Sequence, residues 1–280
     1  MFRKTTLPWV ILLSAALLGG CEEKWVIVEP GGSGSGNNPG EEKRVVLAEE
    51  LTGVRCPNCP EGTLALVALQ QQYRERLVVV SIHAALGYDQ PYPASRYDFR
   101  TAKGTEMANY IGAAFFFPTA AINRRLVPPE TEPYLPRQLW AGVIAEELAK
   151  PLLVGLSLKP TFEANSRRLE VQVSVTPKQN LDGDHRLTVL ITQDSLVDYQ
   201  KVNLVTEPNY LHRHVLRGVL TPATGDVLPA LQANSTVERS FVLTLPAAWE
   251  AKHCSVVAFV HRGGIPNKEV LQAAEKHIPL

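Results

Sequence analysis

"LTGVRCPNCPEGT", residues 51–63, decides how the first half of this chain is read. Cys56 and Cys59 stand two residues apart, each followed by a proline. They come after the apolar run "RVVLAEELTG" and before "GTLALVALQQQYRERL". The first run predicts a short buried strand ending at a turn. The second places Leu66, Leu69, Tyr73 and Leu77 at helical spacing, with polar residues between them. "LVVVSIH", 77–83, is the continuous apolar, β-branched run of a strand covered on both faces. Strand, helix and strand within about forty residues make a βαβ unit, so the two strands should be parallel. The cysteines fall between the first strand and the helix. Such a pair can be a redox couple, a structural disulfide or half of a zinc site. Zinc needs a second ligand pair, and no second CxxC exists, so neither a metal nor another cofactor is expected.

Downstream, "TAKGTEMANYIGA" predicts a weaker helix, and "AFFFPTAAINR" an aromatic run, a proline and a strand. "YLPRQLWAGVIAEELAK", 134–150, predicts an amphipathic helix with Trp140, Val143, Ile144 and Leu148 on one face. A CxxC between the first strand and helix of a βαβ unit resembles the thioredoxin-fold arrangement. A thiolate at a helix N-terminus is stabilised by unpaired N–H groups and the helix dipole, which lowers its pKa. On that resemblance Cys56 is an exposed nucleophile, and Cys59, one turn into the helix, is the buried resolving thiol. Pro118, in Phe117-Pro118-Thr119, matches the fold's cis-proline. Glu50, six residues before Cys56, matches its buried acid, which could take a proton from the resolving thiol. The chain departs from the pattern at Arg55, where tryptophan is usual, and at Pro57-Asn58, where Gly-Pro is usual. Arg55 would favour the thiolate. His83, at a strand end, reads as a core or edge histidine before it reads as a cleft residue.

From Pro151 the pattern changes. "RLEVQVSVT" alternates, with Leu169, Val171, Val173 and Val175 on one face, as in a half-buried antiparallel strand. "RLTVLITQ", "HVLRGVL", "TVERSFVLTL", "CSVVAFVH" and "KEVLQAAEK" follow, separated by turn signals such as "NLDGDH" and "TPATGD". About seven short strands without a convincing helix predict an immunoglobulin-like β-sandwich. In "NYLHRHVLRG", His212 and His214 alternate on an expected strand and so share a face. With no acidic or cysteine partner beside them, a structural role is preferred to metal binding. Cys254 is expected to be a small buried apolar residue.

The N-terminus reads as a targeting segment. "MFRKTTLPWVILLSAALLGGC" has a basic start, an apolar run from Leu7 to Leu18 too short to span a bilayer, and small residues before Cys21. Leu18-Gly19-Gly20-Cys21 resembles the lipobox of bacterial lipoproteins, which implies a signal over residues 1–20 and acyl chains on Cys21. Glu22 and Glu23 resemble the acidic surface-export signal of some Gram-negative lipoproteins. "EPGGSGSGNNPGEE", 29–42, is a flexible tether with a reach of roughly 20 Å. Residues 21–42 therefore form a lipidated cysteine and linker, 43–150 a thioredoxin-like domain, and 151–280 a sandwich domain. The formal net charge is zero and no basic patch stands out, which argues against nucleic acid as a partner. No glycine-rich phosphate loop follows a strand.

The lipobox, "VLAEELTGVRCPNCP" (46–60), "FPTAAINR" (117–124), "NYLHRHVLR" (209–217) and "VVAFVHR…KEVLQAAEKHI" together resemble the outer membrane protein 28-related lipoproteins. That resemblance implies an outer membrane lipoprotein with a thioredoxin-like domain and a β-sandwich, and supplies no substrate. Two functions fit. One is thiol–disulfide exchange on envelope or extracellular proteins, with Cys56 attacking, Cys59 resolving and Pro118 holding substrate backbone; the residues lean slightly this way. The other is a non-enzymatic binding or adhesion lipoprotein whose CxxC is a fixed disulfide. Accessibility separates them: a redox site needs an exposed Cys56, a staple needs both sulfurs buried.

Overall fold

A computed structural model of the chain describes Met1, residues 42–264 and residues 267–280. The signal segment, Cys21 and the tether up to residue 41 lie outside the described residues. The βαβ unit forms as the periodicity predicts. Strands β1 (Val46–Thr52) and β2 (Leu77–His83) run parallel on either side of helix α1 (Cys59–Tyr73). Every residue of both strands is buried, which is why neither shows alternation. Helix α2 (Ala102–Ile111) begins on Thr101, whose hydroxyl accepts the Gly104 amide. Strand β3 (Thr119–Ile122) pairs antiparallel with β1, and the three-residue β4 (Tyr134–Pro136) with β3. Helix α3 (Arg137–Ala149) buries Trp140, Val143, Ile144 and Leu148, the face its spacing gives.

These helices cover the sheet on both sides. Leu66 of α1 and Trp140 and Ile144 of α3 pack with Val46, Ala48 and Val79. Met107 and Ile111 of α2 pack with Leu47, Val78 and Val80, which point the opposite way along the same strands.

Among the described residues beyond 150 the chain supplies ten strands, where the sequence pointed to about seven. Strands β5 (Val154–Glu163) and β6 (Arg168–Pro177) form an antiparallel pair. Then come β7 (His185–Gln193), β8 (Leu196–Val202), β9 (Val205–His212), β10 (Val215–Val219) and the two-residue β11 (Asp226–Val227). Strands β12 (Val237–Thr244), β13 (Cys254–Arg262) and β14 (Val270–His277) complete the set. Strands β12, β6 and β5 make a three-stranded layer. Its buried Leu169, Val171, Val173 and Val175 pack against Val189, Ile191, Val256 and Ala258 of β7 and β13.

That second layer belongs to the same sheet as the βαβ unit. The order is β14-β13-β7-β10-β2-β1-β3-β4, so the hydrogen-bonded sheet runs across the expected boundary at residues 150 and 151. The join is the parallel contact of β10 with β2, where Val215 faces Ser81 and the Ser81 amide donates to His214 O at 2.8 Å. Residues 42–280 form one compact unit, mostly β with three α-helices.

Two buried ion pairs brace this sheet. Arg124 reaches Glu49 with two hydrogen bonds of 2.7 Å, and neither side chain is exposed. The Arg124 guanidinium also lies 4.9 Å from the centre of the Phe259 ring on β13. Arg44 donates to a Glu147 carboxylate oxygen at 2.7 Å and to Leu271 O at 2.7 Å, joining α3 to β14. Each pair ties the first half of the chain to its last two strands. Glu49→Ala would leave Arg124 buried without its carboxylate and should cost about 3–5 kcal/mol in urea unfolding. A loss under about 1 kcal/mol would mean that another group takes over the guanidinium.

Candidate functional site

Cys56 and Cys59 are joined by a disulfide, with an S–S distance of 2.05 Å and a Cα–Cα distance of 5.4 Å. Cys59 opens α1 rather than lying a turn inside it, with Asn58 as the N-cap residue and Pro60 in the first turn, where a missing N–H costs nothing. Cys56 does not have the exposure expected of a nucleophile. It is 2% exposed, and Cys59 is 1% exposed.

The covering comes from far along the chain. The β8–β9 hairpin pairs only with itself and lies on the loop between β1 and α1. Lys201 N donates to Val54 O at 2.7 Å, and Asn203 N donates to Pro57 O at 2.9 Å. The buried Gln200 amide donates to Cys56 O at 3.1 Å and to Gly53 O at 3.3 Å. On the other flank, Arg55 N donates to Tyr88 O at 2.8 Å. The Arg55 guanidinium donates to Gln90 O and Pro91 O and stacks 4.5 Å from the centre of the Tyr92 ring. Arg55 is thus committed to the 88–92 segment rather than to a thiolate.

Glu50 lies on β1 and is fully buried. Its carboxylate accepts Ser81 Oγ at 2.8 Å and Thr63 Oγ1 at 2.9 Å, and Thr63 Oγ1 also lies 3.4 Å from Cys59 O. Burial pushes its pKa up to about 7, against the lowering effect of the two hydroxyls. Pro118 follows a cis peptide bond and lies against α1. A Cβ at Gly62 would come within 2.5 Å of Pro118 Cβ, so only glycine allows this approach.

Beside Glu50 lies a cavity of about 10 Å³, the size of one water molecule, lined in part by Thr63, Ser81, His83, Tyr210 and His212. His83 and His212 are 4% exposed each, with ring centres 5.9 Å apart, and Phe99 packs on both. Burial holds the His212 pKa down to about 4 and drives His83 well below its usual value, so both are neutral. His212 and His214 do not share a strand face as expected. His212 ends β9, His214 turns the chain at φ 54° before β10, and the two side chains enter different cavities. Cys254 is fully buried, as expected, and burial raises its thiol pKa to about 11.

Sequence reasoning did not find Gln200, Lys201 or Asn203, because "LVDYQKVNLVTEP" has no apolar period and its partners lie about 145 residues away. The histidine-containing end of the hairpin was the visible signal.

A family model described as "Outer membrane protein Omp28" matches residues 105–278, the same family that the sequence motifs resemble. The match starts beyond the disulfide loop. HBP35 of Porphyromonas gingivalis shares the fold, with a TM-score of 0.69 at 20% identity over 85% of this chain and 76% of that one. A protein of Agrobacterium tumefaciens overlays with a TM-score of 0.52 at 15% identity, covering 84% of this chain and 95% of that one. A domain of the outer membrane lipoprotein Omp28 of Porphyromonas gingivalis, 17% identical, overlays at 0.33 over 46% of this chain and 90% of that one. No curated protein matches the chain. Among the described residues, no helix is long and apolar enough to cross a membrane.

The raised Glu50 pKa has a sign that can be checked. The folded state keeps this proton to about pH 7, whereas an unfolded glutamate loses it near 4.5. Its contribution to stability is complete below pH 4.5 and is lost as pH rises through that window. Glu50→Gln should therefore be more stable than the parent at pH 8 by about 2–3 kcal/mol, with the gap closing toward pH 4.5 in urea titrations. A gap independent of pH would show that Glu50 titrates as an ordinary carboxylate.

Proposed function

The chain belongs to the outer membrane protein Omp28 family, and we propose that it is a lipid-anchored binding protein whose Cys56–Cys59 disulfide is a sealed structural staple. Its location is the outer membrane. On this reading Cys21 carries the acyl chains, and the linker over 21–42 holds the folded part near the membrane. Residues 43–150 are thioredoxin-like, supported by the parallel β1–α1–β2 unit and the CxxC at the start of α1. Residues 151–280 are an immunoglobulin-like sandwich, supported by the layer β12-β6-β5 on β7 and β13. The two domains share one sheet within one compact unit.

The burial of both cysteines beneath the β8–β9 hairpin carries the staple reading. A disulfide reacts when a thiolate reaches a sulfur along the S–S axis, and a covered pair denies that approach.

The second reading is thiol–disulfide exchange, supported by Glu50, which stays half-protonated near neutral pH beside the first turn of α1. There the hairpin must lift. Cys56 thiolate then attacks a substrate disulfide, Cys59 displaces the reduced substrate, and Glu50 accepts the Cys59 proton. The pair ends oxidised, so each cycle needs a thiol donor.

Reduction kinetics divide the two. The native protein is incubated with dithiothreitol, and new thiols are counted by alkylation and mass spectrometry. The staple reading expects slow reduction, accelerated about tenfold or more in Gln200→Ala, which removes the amide bonds to Cys56 O and Gly53 O. Parent protein reduced as fast as this variant, with turnover of insulin disulfides, would favour exchange.

A further inference from the structure

We propose that a cleft of about 450 Å³ at one end of the large sheet binds a small molecule bearing an oxyanion, a carboxylate or a phosphate. The proposal rests on the binding reading for its purpose, but its lining contains neither cysteine of the disulfide.

Strand register builds the cleft. Gln193 at the end of β7 stands opposite Cys254 at the start of β13 and Val215 at the start of β10, and Ser255 stands opposite His277 at the end of β14. Four strand ends therefore meet on one side. The residues just past them, Asp194, Arg213, His214, Lys252 and His253, line the cavity, and Gln70 and Gln71 of α1 form the facing wall. The volume lies in the range of small-molecule sites, and the lining comes from stretches far apart in sequence, as at most such sites.

Two cations, Arg213 and Lys252, share the cleft with two carboxylates, Asp194 and Glu275, and with three histidines. Burial lowers the His214 pKa, so its ring serves as a neutral hydrogen-bonding group. Asp194 accepts the His214 amide at 2.7 Å, and its Oδ1 lies 3.6 Å from His214 Nδ1, beyond hydrogen-bond distance. Burial raises the Glu275 pKa above its ordinary value, against the lowering effect of the Ser255 hydroxyl, which lies 2.9 Å from His277 Nδ1. Arg213 has no ion-pair partner among the described residues, and Lys252 lies 3.3 Å from Glu250, an exposed residue outside the lining. Arg213 is thus left to meet a ligand, with Lys252 beside it in the lining.

A second observation points the same way. His214 is 8% exposed, yet its Nδ1 has no hydrogen-bond partner. Ser195 and His214, both lining the cleft, hold left-handed backbone at φ 61° and φ 54°. Non-glycine residues adopt that conformation at a cost and keep it where the surroundings impose it, often at ligand sites. An oxygen of the ligand would satisfy the buried ring nitrogen while Arg213 and Lys252 hold its charge. A metal ion is a poorer fit, since no three His, Cys, Asp or Glu side chains among the described residues are grouped to hold one.

The test is calorimetric titration of the full-length protein in detergent with citrate and, separately, with inorganic phosphate. The proposal expects one saturable site for at least one of them. Affinity should fall about tenfold or more in Arg213→Gln/Lys252→Gln and stay unchanged in Lys159→Gln on the remote strand β5. Saturation by citrate alone assigns a carboxylate ligand, and by phosphate alone a phosphate. No saturable binding of either anion, or equal affinity in the double variant, overturns the proposal. Neither outcome alters the rate of disulfide reduction, so the two readings fail separately.

Discussion

A loop of six residues between β1 and α1 cannot be buried unless its carbonyls find donors, because unpaired backbone groups away from water carry a large penalty. Here the donors come from one hairpin. Lys201 N, Asn203 N and the Gln200 amide meet Val54 O, Pro57 O, Cys56 O and Gly53 O. Once these bonds form, the cysteines lie under polypeptide and Arg55 is turned outward to the 88–92 segment. The hairpin depends in turn on the sheet. It emerges from β7 and returns through His214 into β10, the strand that joins the βαβ unit at Ser81. Sealing the disulfide and fusing the two halves of the chain are therefore one event.

The same economy governs the charged core. A sheet with helices on both faces leaves little room for charge, and each buried cation here meets a carboxylate from a distant segment. Arg124 with Glu49, and Arg44 with Glu147, specify which strands lie together more than they add stability, since pairing must first offset desolvation. Glu50 lacks a cation and keeps its proton instead, with Ser81 and Thr63 as donors. His83, at the end of β2, and His212, at the end of β9, stay neutral because burial disfavours their charged forms.

What the sequence revealed and what it concealed follow from range. Strand β2, helix α3 and strand β6 were legible because each presents its burial in its own period: a continuous run, a helical stripe, a strict alternation. The disulfide loop was legible as a motif, Glu50 by its offset of six residues from Cys56, and Pro118 by the Phe117-Pro118-Thr119 match before an expected strand. Strand β5 carries no clear signal because Lys159-Pro160 interrupts its alternation, and β8 none because a hairpin lying on a loop needs no apolar face of its own; of β9 only the histidine-containing end was legible. The expected exposure of Cys56 was inferred from local chemistry, whereas its burial is set by Gln200 and Asn203, which no local pattern connects to it. The division at residue 150 followed a change of pattern from helical to alternating, and the sheet crosses that change because backbone pairing is indifferent to it.

The most direct test of the seal is hydrogen exchange of the oxidised protein, read residue by residue at Cys56, Lys201 and Asn203. If the hairpin and the disulfide loop form one closed unit with the sheet, these amides should exchange as slowly as those of β2, in events approaching global unfolding. Exchange at Lys201 and Asn203 faster than in β2 by orders of magnitude would show a hairpin that opens on its own, and the disulfide would then be gated rather than sealed.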